Sequence, residues 1–160
     1  MSDFRFTAKA GNSARGRHVA VVAARFNADI VDAMVAGAVA AWRRLGGDPE
    51  SLTVLRTPGA FELPLAARKL AATGRYDAIV ALGCVIRGAT AHFDFVAGEA
   101  ARGIADAARD TGVPVAFGVL TTENVEQAVE RASPERMDKG GEALESALEM
   151  ALLLEEIGSP

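Results

Sequence analysis

The chain has 160 residues, half of them apolar, and a formal net charge of −4. That length allows one domain with a full core, and the acidic balance without a lysine or arginine run argues against nucleic acid as the main partner. No apolar run approaches the roughly 20 residues that a membrane span needs, the first residues lack the apolar core of a signal peptide, and the single cysteine, Cys84, suits a reducing compartment; the expectation is a cytoplasmic protein without membrane contact.

Residues 1–16 predict an arm. Phe4 and Phe6 alternate with polar residues at strand spacing over Phe4 to Thr7, and such an arm can add a strand to a neighbouring subunit. Residues 17–157 form the expected domain. His18 to Ala24 is an unbroken apolar run rich in valine and reads as a buried strand. Arg25, Phe26 and Asn27 end it. A helix follows over 28–45, with Ile30, Val31, Met34, Val35, Ala38, Val39, Trp42 and Leu45 recurring at three and four. Gly46 and Gly47 stop it.

Leu52 to Leu55 predicts a second strand. The segment Thr57 to Pro64 leads to a helix over 62–72, where Pro64 suits a first turn that needs no N–H. Ala78 to Leu82 reads as the third strand and 93–109 as the third long helix. Between them Gly83 reads as the start of a glycine-bearing turn. Val113 to Leu120 predicts the fourth strand, with Pro114 tolerable near its start. Asn124 is placed to cap a helix running to Ala132, with Gln127 as its capping-box partner. Ser133-Pro134 interrupts, and a last helix spans 139–157 with a Leu144, Leu148, Leu152 stripe. Strand and helix alternate four times, which implies one three-layer α/β/α domain of flavodoxin-like type. Its sheet has four parallel strands with right-handed crossovers.

In such a sheet, ligands bind outside the carboxyl ends of the strands. Phe26, then Gly59 to Glu62, then Cys84 to His92, and Phe117 are expected at that edge. Phe26 and Phe61 are suited to enclosing a flat ring, Glu62 to accepting from hydroxyls, and Gly59 to close backbone approach. Arg87, Gly88, Ala89 and Thr90 precede a helix N-terminus, whose free N–H groups and positive dipole end suit a phosphate. His92 stands beside them to move protons. Each signal alone is generic: phenylalanines at strand ends are usually core, a first-turn glutamate usually serves the helix dipole, and Cys84 reads as a small core residue. No metal-ligand spacing, G-x-x-x-x-G-K-[ST] or G-x-G-x-x-G is present. Together the signals support a small-molecule site with an anion pocket.

Five segments carry a sharper likeness: Arg25 to Asn27, Pro58 to Pro64, Gly83 to Asp94, Phe117 to Thr122 and Asp138 to Gly140. Their order and spacing resemble the 6,7-dimethyl-8-ribityllumazine synthase family from residue 17 to 157. The resemblance implies an enzyme of riboflavin biosynthesis. It would condense 5-amino-6-(D-ribitylamino)uracil with 3,4-dihydroxy-2-butanone 4-phosphate to the lumazine, phosphate and water, without metal or organic cofactor. It implies Phe26 stacked on the pyrimidine. Ala60, Phe61 and Glu62 would hold the ribityl chain, and the backbone of Cys84, Val85 and Ile86 would meet the uracil. Ala89 and Thr90 would receive the phosphate, with Arg131 as its cationic partner and Lys139 as a further basic residue. His92 would transfer protons. Phe117 and Arg131 would come from a neighbouring subunit of a pentamer-based homo-oligomer, either a free pentamer or one of twelve in a sixty-subunit capsid. The segment between Arg131 and Lys139 has the capsid-type length without its usual glycine and lysine composition, so the sequence leaves both assemblies open. Cys84 stands where relatives often carry threonine or valine. The alternative from another class is a non-catalytic flavin- or lumazine-binding protein on the same fold.

Overall fold

The computed structural model describes residues 13–158, so the strand expected at Phe4 to Thr7 lies outside the described residues. Four parallel strands are observed: β1 (Val19–Ala24), β2 (Leu52–Thr57), β3 (Ala78–Ile86) and β4 (Val115–Thr122). They are ordered β2-β1-β3-β4. Five helices join and cover them: α1 (Ala28–Arg44), α2 (Leu63–Ala72), α3 (His92–Thr111), α4 (Val125–Ala132) and α5 (Lys139–Gly158). Two short 3-10 turns, Pro49–Ser51 and Ala60–Glu62, bracket β2.

The period-two alternation of the strands divides the core. Val19, Val21, Ala23, Ala78, Val80, Leu82 and Cys84 face α1, α4 and α5, where they meet Val31, Met34, Trp42, Ala128, Leu144 and Leu148. Ala20, Val22, Ile79, Ala81 and Val119 face α2 and α3, against Leu63, Ala67, Ala100 and Ile104. This is the three-layer α/β/α arrangement expected from the sequence. Ala14, within the expected arm, is also buried in the first core, and its N–H donates to the Leu45 carbonyl at 3.1 Å.

Helix ends follow local chemistry. The Asn124 side chain accepts from the Gln127 N–H at 2.9 Å, while Gln127 Oε1 accepts from the Glu123 N–H, one residue before the cap. The α1–α5 contact relies on glycine. A Cβ at Gly140 would run into the Met34 backbone, and one at Gly37 into the Asp138 carboxylate. Asp138 sits at φ 44, in the left-handed region, with Oδ1 accepting from the Gly141 N–H at 3.1 Å. Burial raises its pKa against that hydrogen bond, which lowers it.

One strand is longer than expected. β3 continues past Leu82 through Gly83, Cys84, Val85 and Ile86, so the turn read at Gly83 begins four residues later. β1 pairs with β3 only as far as Ala23 opposite Leu82, whereas β4 pairs onward from Gly83 opposite Val119 to Ile86 opposite Thr122. The glycine marks close approach, not a turn: a Cβ at Gly83 would lie 3.1 Å from Leu63 Cδ1. The fourth strand is shifted two residues in the same direction, to 115–122, because Gly112 at φ 72 and Pro114 carry the chain out of α3. The Pro114 carbonyl still accepts from the Ile79 N–H at 2.8 Å.

Candidate active site

The carboxyl ends of β1, β2 and β3 lie side by side in the sheet and form the mouth of the candidate site. The Arg25 and Phe26 N–H groups donate to the Thr57 and Pro58 carbonyls at 2.8 and 3.1 Å, which fixes the exit of β1 against that of β2. Asn27 then takes φ 60, a left-handed conformation that asparagine tolerates better than most residues. Its Nδ2 donates to the Cys84 carbonyl at 2.9 Å. Phe26 is left 71% exposed and Phe61 56%. Ala60 is buried in the core layer under α2 and α3. Thr57 Oγ1 donates to the Gly59 carbonyl at 2.9 Å, and Glu62 Oε2 accepts from the Gly59 N–H at 3.0 Å. One carboxylate oxygen of the exposed Glu62 is thus spent on its own turn.

The end of β3 supplies backbone. The Arg87 N–H donates to the Thr122 carbonyl at 2.8 Å, so by alternation the polar groups of Cys84 and Ile86 face away from β4. On that side β1 has already ended, and Asn27 takes the Cys84 carbonyl. Val85 and Ile86 are half-buried. The Cys84 side chain is buried, and burial pushes its thiol up to about 11. It is therefore a neutral core group. Gly88, Ala89, Thr90 and Ala91 are all exposed, and α3 begins at His92, also exposed. Its N–H donates to Thr90 Oγ1 at 3.4 Å. The Asp94 N–H donates back to the Ala91 carbonyl at 3.0 Å, and the positive dipole end of this 20-residue helix lies at the loop. Arg87, expected at an anion, is otherwise engaged. Its Nε meets Glu123 Oε2 at 2.9 Å and its Nη1 meets Asp94 Oδ1 at 3.4 Å.

A second group of residues lies elsewhere. Phe117 is 48% exposed on the open edge strand and stands opposite Ala81. It is mid-strand, not at the carboxyl edge where the sequence reading put it. There it lines a cleft of about 350 Å³ together with Arg131 and Lys139. Arg131 Nη1 donates to the Gln127 carbonyl at 3.1 Å, and Lys139 Nζ pairs with Glu142 Oε2 at 2.6 Å. None of residues 87–92 lines this cleft. The strand order therefore places Phe26, Ala60, Phe61, Glu62, Cys84, Val85, Ile86, Ala89, Thr90 and His92 at or just after the carboxyl ends of β1, β2 and β3. The structure gathers Phe117, Arg131 and Lys139 on another face. Sequence reasoning missed Glu142 beside Lys139, where the i,i+3 spacing at a helix start was the available signal.

A doubly wound parallel sheet with two exposed phenylalanines, the start of a long helix and an exposed histidine at its carboxyl edge is the arrangement in which α/β enzymes bind small molecules. The sequence narrows that class. The family model for 6,7-dimethyl-8-ribityllumazine synthase matches residues 16–155. The protein of that name from Nitratidesulfovibrio vulgaris strain Hildenborough is 53% identical over 144 residues, covering 90% of this chain and 92% of the relative. Those from Chlorobium phaeovibrioides and Chlorobium luteolum are 53% and 52% identical over 140 and 141 residues, covering 88% of this chain in each case and 90% and 91% of the relatives. The chain belongs to the 6,7-dimethyl-8-ribityllumazine synthase family, as the resemblance in its sequence segments implied.

Proposed function

We propose that the chain is a lumazine synthase of riboflavin biosynthesis, joining 5-amino-6-(D-ribitylamino)uracil to 3,4-dihydroxy-2-butanone 4-phosphate with loss of phosphate and water. The observation that carries this reading is the end of β3. Within seven residues it offers unpaired-side backbone at Ile86, an exposed loop at a helix N-terminus, and His92. Phe26 stacks on the pyrimidine, while Ile86, whose polar groups face away from β4 beyond the end of β1, presents backbone to its polar edge, with Cys84 and Val85 forming the strand beside it. Ala60, Phe61 and the free oxygen of Glu62 hold the ribityl chain. Ala89 and Thr90 receive the phosphate on the dipole of α3.

Imine formation between the amine and the ketone needs a proton delivered to oxygen and one removed from nitrogen. Histidine titrates near neutrality and serves both directions, so His92 is the proton-transfer residue. Phosphate departure builds negative charge on the leaving oxygens, which helix N–H groups and a guanidinium stabilise. Arg87 is occupied by two carboxylates, so that guanidinium is Arg131, with Lys139 behind it. Its cleft is apart from its own chain's loop, and Phe117, Arg131 and Lys139 therefore complete the site of a neighbouring copy. The proposed assembly is built on pentamers, and particle size separates a free pentamer from a sixty-subunit shell. The rest of the acceleration comes from holding two substrates together. A lone, buried, neutral thiol and no helix among the described residues able to cross a membrane are compatible with work in the cytoplasm.

The test is orthophosphate release by purified protein. Release that requires both substrates supports the reading, and release from the four-carbon phosphate alone, or none, refutes it.

A further inference from the structure

We propose that Arg87 is a positioning residue for the reaction, a staple that sets the first turn of α3 and thereby His92. This rests on the proposed role of His92. The loop Gly88 to Ala91 is exposed throughout. The single hydrogen bond recorded within it that involves a side chain is the long one from the His92 N–H to Thr90 Oγ1, at 3.4 Å. Such a loop has little of its own to hold a catalytic side chain within the fraction of an ångström that the chemistry demands.

Arg87 supplies the missing constraint from three directions. Its backbone is fixed to β4 by the N–H bond to the Thr122 carbonyl. Its guanidinium lies 4.3 Å from the centroid of the Phe93 ring, within cation–π range. Its Nη1 reaches Asp94 Oδ1 and its Nε reaches Glu123 Oε2 at the entrance to α4. Phe93 and Asp94 are the two residues after His92, so Arg87 grips the turn that carries the histidine. A single exposed ion pair contributes little. Here one planar fork meets two carboxylates and a ring, a geometry that lysine does not reproduce. The same contacts neutralise Arg87, which keeps it from competing with Arg131 for the phosphate.

The experiment is a double-mutant cycle between Arg87→Met and His92→Ala, read as kcat and KM for both substrates beside thermal unfolding. In the His92 background, Arg87→Met is expected to lower kcat about tenfold, within the range that small misplacements produce, with KM for the uracil unchanged. Arg87→Lys is expected to recover only part of the loss. In the His92→Ala background Arg87→Met is expected to cost almost nothing further, because a residue acting through His92 has nothing left to position. Losses that multiply in the double variant, or an Arg87→Met enzyme with unchanged kcat, overturn the proposal. If Arg87→Met does not fold, Asp94→Asn and Glu123→Gln remove the partners singly and are read by the same criteria. A wild-type protein without synthase activity would instead refute the proposed function, before the cycle is begun.

Discussion

Mixed assemblies of two inactive variants test the division of the site between copies of the chain. Phe117 stands opposite Ala81, five residues before Ile86. At about 3.3 Å per residue it lies about 16 Å back from the end of β3. Arg131 is seven residues beyond the Asn124 cap of α4, about 10 Å along a helix rising 1.5 Å per residue. A phosphate held on Ala89 and Thr90 thus lies beyond the Phe117 ring of its own chain. His92→Ala removes one half of the site and Arg131→Ala the other. In a ring where each copy lends His92 to one site and Arg131 to the next, a site is intact when both contributors carry the needed residue. Random one-to-one assembly makes that so for half times half, about one quarter of sites. Co-refolded subunits are therefore expected to show about one quarter of the wild-type rate. If both residues served one chain's own site, every site would keep a lesion. A mixture no faster than the mean of the separate variants refutes the reasoning.

Alone, His92→Ala is expected to lose about 10²-fold in turnover, the usual scale of general acid–base help, while still binding both substrates by titration calorimetry. Unchanged rates would remove His92 from the chemistry. The Cys84 thiol, raised by burial from an ordinary 9.0 to about 11, should resist iodoacetamide at pH 8 in the native protein and react once unfolded; fast native labelling would contradict the burial. The sign for stability follows. The folded state holds this proton more tightly than the unfolded one, so the contribution is full below pH 9 and is lost as pH rises toward 11. Gly140→Ala sets a methyl against the Met34 backbone where α1 and α5 cross. Such overpacking costs about 1–3 kcal/mol or more, to be read from urea unfolding, and an unchanged midpoint would show that the helices separate freely.

The layers of the fold were legible because burial imposes its period on the sequence. The i, i+3, i+4, i+7 spacing of Val31, Met34, Val35 and Ala38 answers to one packing surface, and the unbroken run Val19–Ala24 to two, one on each face of the sheet. Where the sequence misled, long-range pairing decided. Gly83 has the composition of a turn, but β4 lies alongside to extend the ladder, and Leu63 needs the space that a side chain would fill. Phe117 resembles the other exposed phenylalanines, and only the register against Ala81 separates it from them. Arg87 reads as an anion ligand in isolation. Its partners Asp94 and Glu123 are 7 and 36 residues away, and no local pattern announces that the three meet.

The central claim is that this mouth joins two substrates and does not merely hold one. The direct measurement is lumazine fluorescence on mixing purified protein with the ribitylaminouracil and the butanone phosphate in chelator-treated buffer. The account predicts fluorescence that rises with time, in proportion to enzyme, and only when both substrates are present. Tight binding of the uracil or of the lumazine with no product above the uncatalysed rate would contradict it and identify a carrier built on the same fold.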